Sequence, residues 1–178
     1  MNTFDTIAAR RSYRGKYLPT PIPREHLYKI MEAGCHAPSG CNKQTTSFIA
    51  VDDPEILARF RTVIRPPRAD TCPAMICVLT RKIVAYRDRV FNVQDYSAAI
   101  ENMLLAIADL GYASCWFEGH VTDEDRIGYK MQKMLGVPDE YELICFLPVG
   151  IPAEGFKPLQ KQPLIERAWL NGFQKPLK

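Results

Sequence analysis

The chain has 178 residues, 47% of them hydrophobic and 24% charged, with 14 prolines spread along it and a formal charge of +3. This is ordinary globular usage for one domain with a real core, and it excludes a low-complexity or disordered polymer. The net charge is too small to mark a nucleic-acid binder by itself. No window approaches the roughly 20 apolar residues of a membrane span.

The segment MNTFDTIAARRSYRG has no apolar run of the secretory kind, so a cytoplasmic protein is expected. The spacing predicts a short helix over Asn2 to Ala9 and a second one through PIPREHLYKIMEAG, where Leu27, Ile30, Met31 and Gly34 fall on one face. A loop, APSGCNKQ, follows. Ser47 to Val51 reads as a strand that hands over through Asp52, Asp53 and Pro54 to a helix carrying Phe60 and Val63, and Ala74 to Leu79 as a second buried strand. Tyr96 to Leu110 is the clearest helix, with a broad stripe from Tyr96 through Ala99, Ile100, Met103, Leu104 and Ile107 to Leu110, and Gly111 as its stop. Beyond it, Ala113 to Phe117 reads as a strand, Thr122 as the cap of a helix ending before Gly136 and Pro138, and Leu143 to Val149 as another buried strand. From Gly150 the chain turns rich in Pro, Lys and Gln. Its isolated Leu164, Trp169, Leu170 and Phe173 favour docking, with a second subunit as one such surface.

The six cysteines, Cys35, Cys41, Cys72, Cys77, Cys115 and Cys145, form no C-x-x-C, and His26, His36 and His120 lack ligand spacing. Neither a disulfide framework nor a metal site is expected. Arg59, Arg61, Arg65 and Arg68 have no interleaved aromatics and read as a solvated face rather than a nucleic-acid surface.

Three segments could carry chemistry. Arg10, Arg11, Ser12 and Arg14 put three guanidinium groups and a hydroxyl in one stretch, which suits a phosphate dianion; taken alone the stretch is more commonly a solvated basic surface, since most arginine pairs are exposed. The loop with Pro38, Ser39, Gly40, Asn42 and Gln44 offers a hydroxyl, two carboxamides and close backbone approach, yet its composition is also that of a plain turn. The third, Gly111 to Gly119, ends in a glycine that would let a planar ring lie against the backbone, or is a core strand closing in a turn.

Taken together and in order, RRSYRGKYLPTPIP, EAGCHAPSGCNKQ, DYSAAIENMLLAIADLGYASCWFEG, LPVGIPAE and KQPL resemble the nitroreductase-like flavoprotein family from about Phe4 to Glu166. The resemblance implies a single α+β domain over residues 1–178, with a mixed central sheet surrounded by helices. It also implies an intertwined homodimer whose core is the Asp95 to Leu110 helix and whose 151–178 tail packs on the partner, with FMN at the interface. Arg10, Arg11, Ser12 and Arg14 match the phosphate and ribityl contacts, and Lys161 of KQPL matches a further phosphate cation, usually arginine in the family. Pro38, Ser39, Gly40, Asn42 and Gln44 resemble the loop that meets the flavin from the partner. Trp116, Glu118 and Gly119 resemble the strand end along the other ring edge. Thr45 and Thr46 stand where the family commonly has Pro-Trp, which alters the wall beside the cofactor.

The resemblance further implies cofactor-borne chemistry without a protein acid or base. Electrons would pass from NADH or NADPH to a small electron-poor acceptor, such as a nitroaromatic, quinone or enone, in a ping-pong cycle. APSG, LPVG and KQPL are similar also to the reductive dehalogenase branch, whose lid would correspond to about Arg81 to Gln94. An FMN-binding sensor or carrier is the alternative from another class.

Overall fold

The computed structural model describes residues 2–64, 69–122, 124–156 and 160–175. In chain order these hold α1 (Thr3–Ala9), α2 (Arg24–Cys35), β1 (Thr46–Val51), α3 (Pro54–Val63), β2 (Ala74–Thr80), β3 (Val84–Tyr86), β4 (Arg89–Val90), α4 (Asn92–Asp109), β5 (Phe117–Glu118), α5 (Ile127–Met134) and β6 (Glu142–Val149). Every residue of β2 is buried, as its unbroken run AMICVLT requires of a strand covered on both faces. It is the second strand of a four-stranded sheet in the order β1-β2-β6-β5.

The alternating side chains of β2 enter two separate cores. Met75, Cys77 and Leu79 pack with Leu57 and Phe60 of α3 and Ile127 and Met131 of α5. Ile76 and Val78 pack with Leu27 and Ile30 of α2 and with Ile100, Met103, Leu104 and Ile107 of α4. Helices therefore cover both faces of the sheet. Gly34 is buried where α2 crosses β1 and α4: a Cβ there would lie 2.7 Å from the Phe48 ring. Burial in this interior pushes the Cys77 thiol up to about 12. Among the described residues no helix is long and apolar enough to cross a membrane.

The expected mixed sheet is corrected. All ladders of the described sheet are antiparallel, and parallel pairing is confined to the isolated bridge Ser12–Ser114. The alternation of strand and helix suggests crossovers, but α3 and the chain after it return to the end of the sheet where β1 stopped, so Val51 pairs with Met75. α3 itself starts as predicted: the Asp53 carboxyl accepts from the amides of Glu55 and Ile56, with Pro54 at the first helical position.

Three boundaries differ from the expectations. α4 begins a turn before Tyr96, at Asn92. Ala113 to Phe117 is largely an extended connector with isolated bridges, and only Phe117 and Glu118 form a strand. The Thr122 hydroxyl accepts from the Asp125 amide and closes a turn, while α5 starts later, at Ile127. Within the expected lid segment, β3 and β4 form a hairpin turned through Arg87 and Asp88, both left-handed with φ of 45° and 60°. Arg65 and Arg68 lie outside the described residues.

Candidate functional site

After α1 the chain runs extended beside the connector that leaves α4. The Tyr13 amide donates to the Ser114 carbonyl at 2.8 Å, and Tyr13 and Tyr17 are buried in the core. Strand alternation then leaves Ser12 and Arg14 exposed on the other side. A cavity of about 170 Å³ opens between this segment and the C-terminal half of α4, lined by Arg10 and Arg11 together with Leu104, Ile107, Ala108 and Ser114. Arg10 is mostly buried and reaches Glu101 of α4 at 3.4 Å. Arg11 folds back, its guanidinium donating to the carbonyls of Ala8 and Arg10. Two of the five residues expected at the phosphate and ribityl chain thus share one cavity. Ser12 and Arg14 do not line it, and Lys161 is exposed in the tail. A pair of guanidinium groups at a cavity mouth fits a phosphate through charge-assisted hydrogen bonds.

The second group lies at the other end of α4. The loop from Pro38 to Gln44 makes a tight 3-10 turn, with the Asn42 amide donating to Ser39 O and the Lys43 amide to Gly40 O. Cys41, Asn42 and Gln44 are all left-handed, with φ of 50°, 53° and 49°. Such a cluster of non-glycine residues is costly and persists only when its surroundings over-determine it. Here Ser39 Oγ accepts the Gln44 amide at 3.0 Å, and the two oxygens of buried Asp95 accept the Gly40 amide and the Thr45 hydroxyl, each at 2.7 Å. Gly40 allows Phe91 to approach: a Cβ there would meet that ring at 2.6 Å. A smaller cavity of about 70 Å³ lies behind the loop, lined by Pro38, Ser39, Gln44, Thr45, Thr46 and Asp95 among others. Asn42 and Gln44 are exposed.

Sequence reasoning placed Asp95 only at a helix start and missed this contact. An acidic residue in the first turn of this amphipathic helix was the available signal, and it reads equally as a partner of the helix dipole.

The connector carries Trp116 back along α4 to Tyr96, with ring centroids 6.3 Å apart in an edge-on arrangement. Desolvation raises the Tyr96 phenol above its ordinary value, and Glu118 and Glu142 add to it. Desolvation also raises the Glu118 carboxyl, with Trp116 opposing. Gly119 is buried, and its lack of a side chain serves packing: a Cβ would lie 2.6 Å from Leu143 O, and its own carbonyl accepts the Gly128 amide.

Within one chain the arginine cavity and the loop are not brought together. Asp95 and Ile107 are twelve residues apart on α4, so the two regions are separated by about 18 Å along its axis.

Comparison with known proteins finds a match to the Nitroreductase family over residues 7–66 and 61–151. A Methanothermobacter thermautotrophicus protein assigned as an NADH dehydrogenase/NAD(P)H nitroreductase is 31% identical over 160 residues, covering 86% of this chain and 79% of that protein. Among solved structures, an assigned NADH dehydrogenase/NAD(P)H nitroreductase from Parabacteroides distasonis superposes with a TM-score of 0.82 at 28% identity, covering 97% of this chain and 99% of the other. A nitroreductase with bound FMN from Bacteroides fragilis gives 0.77 at 27% identity, covering 97% of this chain and 100% of that one.

Proposed function

Because this chain belongs to the nitroreductase family, we propose that it is an FMN-dependent oxidoreductase that passes electrons from NADH or NADPH to a small electron-poor acceptor, such as a nitroaromatic, quinone or enone. Bound FMN would supply the hydride and electron chemistry, and the protein would supply position and electrostatics. Arg10 and Arg11 hold the phosphate, with Ser12, Arg14 and Lys161 completing its surroundings. Pro38, Ser39, Gly40, Asn42 and Gln44 meet the ring on one side, and Trp116, Glu118 and Gly119 border it on the other. The FMN-bound relative from Bacteroides fragilis supports the cofactor, and the name of the Methanothermobacter relative supports the nicotinamide donor.

The observation that carries this reading is the separation of the arginine cavity from the loop along α4. It is relieved when a second copy places its loop over the first copy's arginines, and we take the working unit to be that homodimer. Two features support it. Phe4 and Ile7 of α1 are 82% and 51% exposed, and the tail holds out Leu164, Ile165 and Phe173 at 68%, 66% and 75%. Large exposed apolar side chains on both α1 and the tail suit burial against a second copy. The cycle proposed is ping-pong, with donor and acceptor using the same ring face in turn.

The test is an absorption spectrum of the purified protein with its size in solution, followed by anaerobic mixing with NADH or NADPH and then with nitroaromatic, quinone, enone and halotyrosine acceptors. A yellow dimer that bleaches with the nicotinamide and recolours with the first three is expected. A colourless monomer that refuses FMN contradicts the reading, a bound flavin that NADH and NADPH both leave oxidised reduces the protein to a sensor or carrier, and recolouring by halotyrosine alone reassigns the acceptor.

A further inference from the structure

Asp95 lies in the first turn of α4, where a carboxyl ordinarily complements its own helix. This one is turned to the neighbouring loop. Its oxygens hold the Gly40 amide and the Thr45 hydroxyl, which flank the three left-handed residues Cys41, Asn42 and Gln44 on either side. We propose that Asp95 is a positioning residue for the flavin: with Thr45 it clamps the strained Pro38 to Gln44 loop in the shape that presents Asn42 and Gln44. This role rests on the reading that the loop contacts FMN.

The geometry favours a clamp over a plain helix cap. The residue before α4, Phe91, offers no side-chain cap, and the carboxyl that could stand in for one is committed across to the loop. The same turn holds the loop a second time, since the Phe91 ring occupies the space a Gly40 side chain would need. The cavity of about 70 Å³ behind the loop, with Asp95 on its wall, gives the loop somewhere to collapse once the clamp is cut. A preorganised donor set binds better than one that must be ordered on binding, so loosening the loop should weaken the cofactor rather than only the fold.

The experiment compares wild type, Asp95→Ala, Asp95→Asn, Thr45→Val and, as a control for general destabilisation, Ile100→Ala in the core of the same helix. FMN affinity is read by fluorescence titration and the Gly40 and Gln44 amides by hydrogen exchange. Asp95→Ala should weaken FMN at least tenfold and speed exchange at both amides by a similar factor. Thr45→Val should weaken FMN about threefold, Asp95→Asn should fall between, and Ile100→Ala should lower the unfolding temperature with FMN affinity within twofold of wild type. If Asp95→Ala does not fold, Thr45→Val and Asp95→Asn decide. Affinity within twofold and unchanged exchange in both of those overturns the clamp while leaving the functional reading intact, as does an Ile100→Ala loss as large as theirs. A wild-type protein that takes up no FMN overturns both.

Discussion

At the C-terminal half of α4 the arginine side chains are placed by a 3.4 Å ion pair from Arg10 to Glu101 and by Arg11 guanidinium bonds to nearby backbone, on a segment that Tyr13 anchors to Ser114, whereas at the N-terminal turn the Pro38 to Gln44 loop is fixed by Asp95, Ser39 and the Phe91 ring. The first is a grip by charge that any dianion of suitable size could satisfy. The second is backbone shaped in advance, at the cost of three left-handed residues. A phosphate needs charge, while a planar ring needs surfaces set at a fixed distance, so the two ends suit the two ends of a flavin nucleotide.

Cutting the charged end should have the largest effect. Replacing Arg10 and Arg11 together by Ala removes two charge-assisted donors worth about 1.5–3 kcal/mol each, so FMN affinity should fall by more than a hundredfold in a fluorescence titration. The wild-type affinity should also weaken with added salt. If the double variant keeps stoichiometric FMN, the phosphate lies elsewhere.

The shaped end should respond through stability. Gly40→Ala forces the Phe91 ring aside and should cost about 1–3 kcal/mol in urea unfolding, with little salt dependence. An unchanged midpoint would mean that Phe91 moves freely and does not fix the loop. Lys161→Ala, exposed in the tail, should weaken FMN only about threefold, because a flexible ammonium lacks the guanidinium fork. A loss as large as that of the arginine pair would move the phosphate toward the tail.

The smallest effect concerns pH. Burial holds the Glu118 carboxyl above the ordinary 4.5, so in the window above that value the unfolded chain binds fewer protons than the folded one. Stability contributed by this group is therefore lost as pH rises through the window. Glu118→Gln should gain on wild type between pH 4 and 7, by a small margin because the side chain is partly exposed. A gain that reverses sign would place Glu118 in a salt bridge.

Much of this was legible in the sequence because burial writes a period into it. The stripe on α4, the unbroken run of β2 and the Asp53-Pro54 start of α3 each follow from a local rule. Strand direction did not, since it depends on where α3 and the chain after it return, which no local pattern records. The β3–β4 hairpin was hidden because its turn uses Arg87 and Asp88 where Asn-Gly would have announced it. Thr122 has the chemistry of a helix cap but closes an ordinary turn. In the site, the arginines and the loop were visible as residue types. The Asp95 contact was not, because it joins positions 50 and 55 residues apart and depends on how α4 packs beside the loop.

The claim that one site takes its arginines from one chain and its loop from the other can be tested by mixing subunits. Arg10→Ala/Arg11→Ala chains are paired with Asn42→Ala/Gln44→Ala chains, once each variant is shown to retain no FMN alone, and the mixed dimer is isolated by two affinity tags. Sites shared between chains leave one intact, so one FMN per mixed dimer is predicted. If each chain instead builds its own site, every site carries a defect and the mixed dimer will hold none.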